Sequence, residues 1–174
     1  ITVEDPVEYQ LRGITPLQVN SKIGLTFAAA LRNLLRHDPD ILMVGEVRDL
    51  ETAELSIRTA LTGHLVFSTL HTNDAASGVT RLLDLGLEPY LVAASVQAFI
   101  AQRLVRTVCP DCKAPVLLKD VMKDLEREKK SGFEKIDTPE KIMRGKGCEA
   151  CKFTGYRGRM AIYELLTINE EIRE

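Results

Sequence analysis

Tryptophan is absent from this sequence, and aromatic residues make up only 5% of it. Charge of neither sign dominates, since 23 Lys and Arg stand against 25 Asp and Glu. A chain with no overall basic excess and few rings for stacking on bases is poorly suited to nucleic acid, and none is expected as a partner. Long apolar runs are also missing. The longest apolar-rich stretch, Tyr90 to Val105, is interrupted by Ser95, Gln97, Gln102 and Arg103. It falls short of the ~20 residues that span a bilayer and reads as a buried helix. No signal-peptide pattern is present. Cysteine is sparse: four residues, in the pairs Cys109/Cys112 and Cys148/Cys151. A small secreted disulfide protein would spread its cysteines, so the pairs point to a reducing compartment and a metal.

What is present suits one ordinary domain, or one domain with a small appendage, in a chain of 174 residues that is 45% apolar. The chain starts at Ile1 in the middle of a strand-like run and reads as a fragment of a longer protein. Ile1 to Glu4 is expected as a short strand stopped by Asp5-Pro6. Val7 to Ser21 reads as loop or hairpin. Thr26 is a good N-cap for a helix over Phe27 to His37, with Phe27, Leu31, Leu34 and Leu35 at helical spacing. Ile41 to Val44 is a continuous apolar run, as in a strand covered on both faces. A helix over Leu50 to Leu61 ends at Gly63, and His64 to Leu70 reads as a second buried strand. Strand, helix and strand at this spacing predict a βαβ unit with parallel strands. Helices are expected over Ala75 to Leu85 and Pro89 to Val105. Then come a charged amphipathic helix over Leu117 to Lys130, a polar loop-rich Ser131 to Gly147, and a strand-like Met160 to Leu166.

The chemistry-bearing residues fall at strand ends. The apolar run Ile41 to Val44 delivers Glu46 at its carboxyl end, where open α/β sheets bind ligands. An acid there can hold Mg²⁺ in a nucleotide hydrolase, or be an ordinary surface Glu. Glu4 and Glu8 form a second acidic cluster after a strand, suited to orienting or deprotonating a water. The strand over His64 to Leu70 ends in His71-Thr72-Asn73, and a histidine there can hydrogen-bond a γ-phosphate. His64, beside Gly63, is expected to be satisfied by local backbone. Arg32 and Arg36, four apart, read as a solvated basic face, the alternative being an arginine finger across a subunit boundary. Two CxxC turns can close one tetrahedral tetrathiolate site, which suits structural Zn²⁺. Two redox dithiols are the weaker alternative.

These residues resemble one family. Ile1-Thr2-Val3-Glu4-Asp5-Pro6-Val7-Glu8-Tyr9 is similar to the aspartate box of the ATPases of type II secretion and type IV pilus assembly. Leu31 to Asp49 is similar to their atypical Walker B segment, and Thr62 to Asn73 to their histidine box. The paired cysteines followed by Thr154-Gly155-Tyr156-Arg157-Gly158-Arg159 mark the assembly and secretion branch. The resemblance covers essentially the whole chain and implies an α/β fold. That fold is a RecA-like, partly parallel sheet flanked by helices, with a small zinc-binding tetracysteine subdomain. Its expected parts are 1–108, the C-terminal part of the ATPase domain; 109–155, the tetracysteine subdomain; and 156–174, a strand and helix returning to the ATPase domain.

The resemblance also implies roles. Glu4, with Glu8 as a second candidate, would act on the attacking water, Glu46 at Mg²⁺, and His71 near the γ-phosphate of ATP. Arg32, Arg36, Arg48 and Arg81 would serve the nucleotide or a neighbouring subunit, reversing the reading of Arg32 and Arg36 as solvated. Cys109, Cys112, Cys148 and Cys151 would hold Zn²⁺. The implied protein is a homo-hexameric, cytoplasmic motor at the inner membrane of a bacterium, working on platform and linker proteins of the secretion or pilus machine. The sequence departs from the family in one respect. No G-x-x-x-x-G-K-[ST] loop occurs in its 174 residues, so the fragment alone is expected to be inactive. A zinc-stapled docking module without catalysis is the competing reading.

Overall fold

The computed structural model describes residues 1–121 and 140–173, and these pack as two compact units. One unit comprises 1–102 with 163–174, the other 103–162.

The first unit is built on a four-stranded sheet in the order β2-β1-β3-β4, with β1 at Thr2–Glu4, β2 at Pro16–Gln18, β3 at Ile41–Val44 and β4 at Leu65–Ser68. All three pairings are parallel, with Val3 opposite Val44 and Val44 opposite Ser68. Helix α1, Phe27–Leu34, packs on β1, and α2, Leu50–Leu61, packs on β4 and α1. The Thr26 side chain accepts from the Ala29 amide and starts α1 as its sequence indicates. Asp49 does the same for α2, accepting from the Thr52 amide at 2.8 Å. Helices α3, Ser77–Asp84, and α4, Pro89–Ser95, join α2 around Val47, Ala53, Ile57, Leu82, Leu87 and Val92. Each of the Val, Ile and Leu side chains removed from water there contributes roughly 1.5–3 kcal/mol before entropy is counted. A second cluster of Val3, Val19 and Ala30 lies under β1 and α1. Asp5–Pro6 is a cis peptide.

Four expectations give way here. Residues 16–18 form no hairpin; they return to pair in parallel with β1, through Thr2 N–H to Thr15 O and Val19 N–H to Glu4 O. The strands are not covered on both faces. Leu42 and Val44 are fully buried, but Ile41 of β3 and Leu65 and Phe67 of β4 stand about half exposed. The helix over Phe27 to His37 stops at Leu34 and tightens into a 3₁₀ turn at Leu35–His37. The helix from Pro89 stops at Ser95, and Ala98–Val108 is strand β5. Ile100, Val105, Thr107 and Val108 are β-branched, and β5 has a partner in β8, Tyr156–Thr167, so pairing overrides the helical spacing. Gly78 lets α3 sit on the ring of Phe99, which would lie 2.4 Å from any Cβ there. A last helix, α5, spans Glu170–Arg173.

The second unit holds β6, Lys113–Leu117, paired antiparallel with β7, Lys141–Gly145. Five residues of the stretch expected as polar loop thus take a strand partner, with Val116 opposite Ile142 and Pro115 opposite Met143. Of the helix expected over Leu117 to Lys130, residues 118–121 are helical and Leu117 belongs to β6. The rest of that helix lies outside the described residues. Ten Lys and Arg among this unit's described residues face four Asp and Glu, a local excess that the balanced total conceals. Among the described residues no helix is long and apolar enough to cross a membrane.

Candidate functional site

Because β1, β3 and β4 are parallel neighbours, their carboxyl ends deliver Glu4, Glu46 and His71 to one edge of the sheet. Two contacts prolong the β3–β4 pairing beyond the strands. The Thr69 hydroxyl donates to Gly45 O at 2.6 Å, and the Val47 amide donates to Thr69 O at 3.1 Å. Gly45 allows β1 to come close, since a Cβ there would stand 3.0 Å from Val3 O and 3.4 Å from the Cα of Glu4. Nε2 of His71 and Oε2 of Glu46 are then 3.1 Å apart, and Nε of Arg48 is 2.6 Å from the same oxygen. Burial opposes ionisation of Glu46, but the hydrogen bonds from His71 and Arg48 outweigh it and hold the carboxyl below its usual range.

Glu4 accepts the Thr2 hydroxyl on one oxygen at 2.6 Å and the Glu8 amide on the other at 3.3 Å. Glu8 joins this cluster through its backbone; its side chain is exposed. Arg32 forms an ion pair with Glu51 of α2. Arg36 lies in the 3₁₀ turn, so the two arginines do not share a continuous α-helical face. Arg81 is half-buried in the last turn of α3. His64 makes local contacts, its Nδ1 lying 3.1 Å from Thr59 O and 3.1 Å from the Thr62 hydroxyl.

Sequence reasoning missed Thr69 and Asp49. Asp49-x-x-Thr52 is legible as a cap, with the Thr52 hydroxyl closing back on Asp49 at 3.1 Å. It fixes where α2 begins, with the cap three residues beyond Glu46 and the helix starting at Leu50. Nothing local marks Thr69, whose partner is 24 residues away.

The second unit gathers the four cysteines. Their sulfurs all lie within 4.8 Å of one another, with Cys109–Cys148 and Cys112–Cys151 at 3.9 Å and Cys148–Cys151 at 3.8 Å. These are non-bonded separations and all four cysteines are free. Cys151 accepts the amides of Cys148 at 3.2 Å and Gly155 at 3.3 Å. The Cys148 amide leads in lowering its pKa to about 6, so one thiolate is prepared by backbone donors. Burial pushes Cys112 up to about 11. Glycines permit the crossing beneath the cluster: a Cβ on Gly145 would stand 2.0 Å from Gly155 O. Beside it, Arg157 donates to Asp111 at 3.2 Å, and Arg106 lies 4.1 Å above the Tyr156 ring. Four converging sulfurs could hold a metal ion.

A parallel α/β sheet with acids and a histidine at its carboxyl edge is the frame on which ligands are bound outside strand ends. The chain belongs to the type II/IV secretion system protein family, whose model matches residues 1–174. It is 51% identical to type II secretion system protein E of Aeromonas hydrophila over 174 residues, covering 100% of this chain and 34% of that protein. It is also 51% identical over 173 residues to the type IV pilus assembly ATPase PilB of Thermus thermophilus, covering 99% of this chain and 19% of that one. The chain therefore spans about a third of one of these relatives and about a fifth of the other. Among solved structures it is similar to the pilus retraction motor PilT with bound ADP, at TM-score 0.65 and 31% identity over 99% of this chain and 39% of that one. It is similar also to the ATPase DotB of Legionella pneumophila, at TM-score 0.63 and 27% identity over 99% of this chain and 37% of that one.

Proposed function

We propose that this chain works as part of a longer, ATP-hydrolysing motor subunit that powers pseudopilus assembly in type II secretion at the bacterial inner membrane. The observation that carries the reading is the meeting of Glu46 and His71 at the sheet edge, beside Glu4. In this reading Glu46, kept ionised by His71 and Arg48, serves Mg²⁺. Glu4, already oriented by Thr2 and the Glu8 amide, directs the attacking water, with Glu8 the second candidate. His71 faces the γ-phosphate. Arg36, Arg48 and Arg81 supply positive charge at the nucleotide or across subunits, as does Arg32 once released from Glu51. The phosphate cradle has to come from residues outside these 174, and turnover requires a homo-hexamer. The partners in this reading are the platform and linker proteins at the membrane, and the subunit is cytoplasmic.

The cysteine cluster fits Zn²⁺ on its donor set and spacing. Thiolates about 2.3 Å from a tetrahedral ion stand about 3.8 Å from one another, and three of the sulfur pairs here measure 3.8–3.9 Å. Zinc on Cys109, Cys112, Cys148 and Cys151 would staple the knuckles; with all four positions taken, it would have no catalytic role. The equal identity to a type IV pilus ATPase favours pilus assembly as the second reading of the machine. A zinc-stapled docking module is the third.

In the full-length protein, Glu46→Gln should bind ATP normally and lose turnover by about 100-fold or more. Arg32→Ala and Arg36→Ala should keep nucleotide affinity and lose turnover. Hydrolysis at the parent rate in Glu46→Gln would overturn the role given to Glu46, and no ATP hydrolysis by the full-length protein would leave the docking module as the better reading.

A further inference from the structure

The segment that carries His71, residues 69–76, has no regular structure between β4 and α3. Its front end is fixed by the Thr69 hydroxyl on Gly45 O. Its back end is fixed from far away in sequence. The amide of Ala75, a residue only 2% exposed, donates to Oε2 of Glu164 at 3.2 Å, across 89 residues. A buried amide needs a partner, and Glu164 supplies one from β8. Local bonds complete the segment: the Thr72 hydroxyl donates to Asp74 O at 3.1 Å, and the Ser77 amide to Asp74 Oδ1 at 2.7 Å. These set its shape, whereas Glu164 sets where that shape sits. The stretch of chain bearing Glu164 is itself anchored. Just beyond β8, the Ile168 amide donates to Gln97 O at 2.9 Å, and the Arg173 guanidinium donates to Ala93 O and Val96 O.

We infer that Glu164 is a positioning residue for His71, holding the segment after β4 so that the imidazole stays against Glu46. The role is one of acceptor geometry, since the bond needs an oxygen at that place and no proton transfer. A glutamine oxygen can stand in the same position; an alanine leaves the Ala75 amide buried without its partner. This rests on the reading of His71 as a group at the reacting phosphate, and it names the residue that keeps it there.

The test compares Glu164→Ala with Glu164→Gln, first in the 174-residue chain by NMR. Glu164→Ala should speed hydrogen exchange at the Ala75 amide about tenfold and shift the His71 ring nitrogens, while Glu164→Gln leaves both as in the parent. In the full-length protein, Glu164→Ala should lower kcat about tenfold with the KM for ATP unchanged, and Glu164→Gln should restore it. Three results would overturn the proposal. One is faster exchange at Leu82 of α3 and at Leu85, its C-cap, with unmoved His71 ring signals, which makes Glu164 a plain support for that helix. Another is Glu164→Gln behaving like Glu164→Ala in a folded chain. The third is Glu164→Asp, whose shorter side chain withdraws the oxygen, matching the parent in every readout; this variant decides the matter if the alanine form does not fold. Failure of the underlying reading looks different: His71→Ala would then keep full turnover while the ring shifts in Glu164→Ala persisted.

Discussion

Nε2 of His71 lies 3.1 Å from Oε2 of Glu46, bridging 25 residues and two neighbouring strand ends. The contact follows from the parallel β3–β4 register, and Thr69 on Gly45 O tightens it. It joins two acid–base groups that do nothing for the hydrophobic core. Its energetic worth is small and its geometric worth is large.

Glu46 gives the first prediction. Its folded pKa lies below the ordinary 4.5, so its contribution to stability is complete above that value and is lost as pH falls through the lower, folded one. The partners are exposed, Arg48 at 67% and His71 at 73%, so solvent screens the interaction and the contribution is about 0.5 kcal/mol or less. Glu46→Gln should cost that little at neutral pH and flatten the acid limb of a urea-midpoint titration by the same amount. An unchanged acid limb would mean that the pairing does not hold in solution.

The cysteine cluster gives the second. Protein purified without chelator should carry one zinc per chain by elemental analysis. Cys148→Ser should lose the metal on dialysis. Chelation should abolish the slow-exchanging amides of β6 and β7 and leave those of α2 in place, because α2 has its own core around Ala53 and Ile57.

Gly155 gives the third. It has φ +78°, and a Cβ on it would stand 2.7 Å from Gly145 O. Glycine alone meets both demands. Gly155→Ala should destabilise the second unit by about 2–4 kcal/mol, combining left-handed backbone strain with overpacking. Gly158→Ala has a similar φ of +85° but open space around it, and should cost about 1 kcal/mol. Separate chemical denaturation of the two variants distinguishes clash from strain.

Asp49 gives the fourth. Asp49→Ala removes the acceptor for the Thr52 amide and should cost about 1 kcal/mol. Asp49→Asn should recover most of it. Loss in thermal or urea unfolding is the measurement, with helicity by circular dichroism as a check on fraying at Leu50.

The parts legible in the sequence were those whose signals are local. Helix α2 reads directly from its spacing and bounds, and β3 from its apolar run. The placement of Glu46 and His71 at one edge follows from strand–helix–strand logic, which needs no side-chain detail. The knuckles read from spacing alone. What stayed hidden depends on partners remote in sequence. Residues 98–105 have helical spacing and become strand because β8 offers a ladder. Residues 141–145 look like polar loop until β6 lies beside them. Glu164 and Thr69 are ordinary residues in sequence and gain meaning only from what they touch. The basic excess near the cysteines was hidden by summing charge over the whole chain.

The outer position of β4 has a practical consequence. Among the described strands it pairs only with β3, so its far side has no strand partner among them. Leu65 and Phe67 stand half exposed on the same strand. Such a border is a template on which a second molecule can lay down a strand. Handled alone, the chain should keep best when dilute, because each encounter that consumes it takes two molecules. A lysine at Phe67 would be the first change to make for anyone preparing concentrated samples.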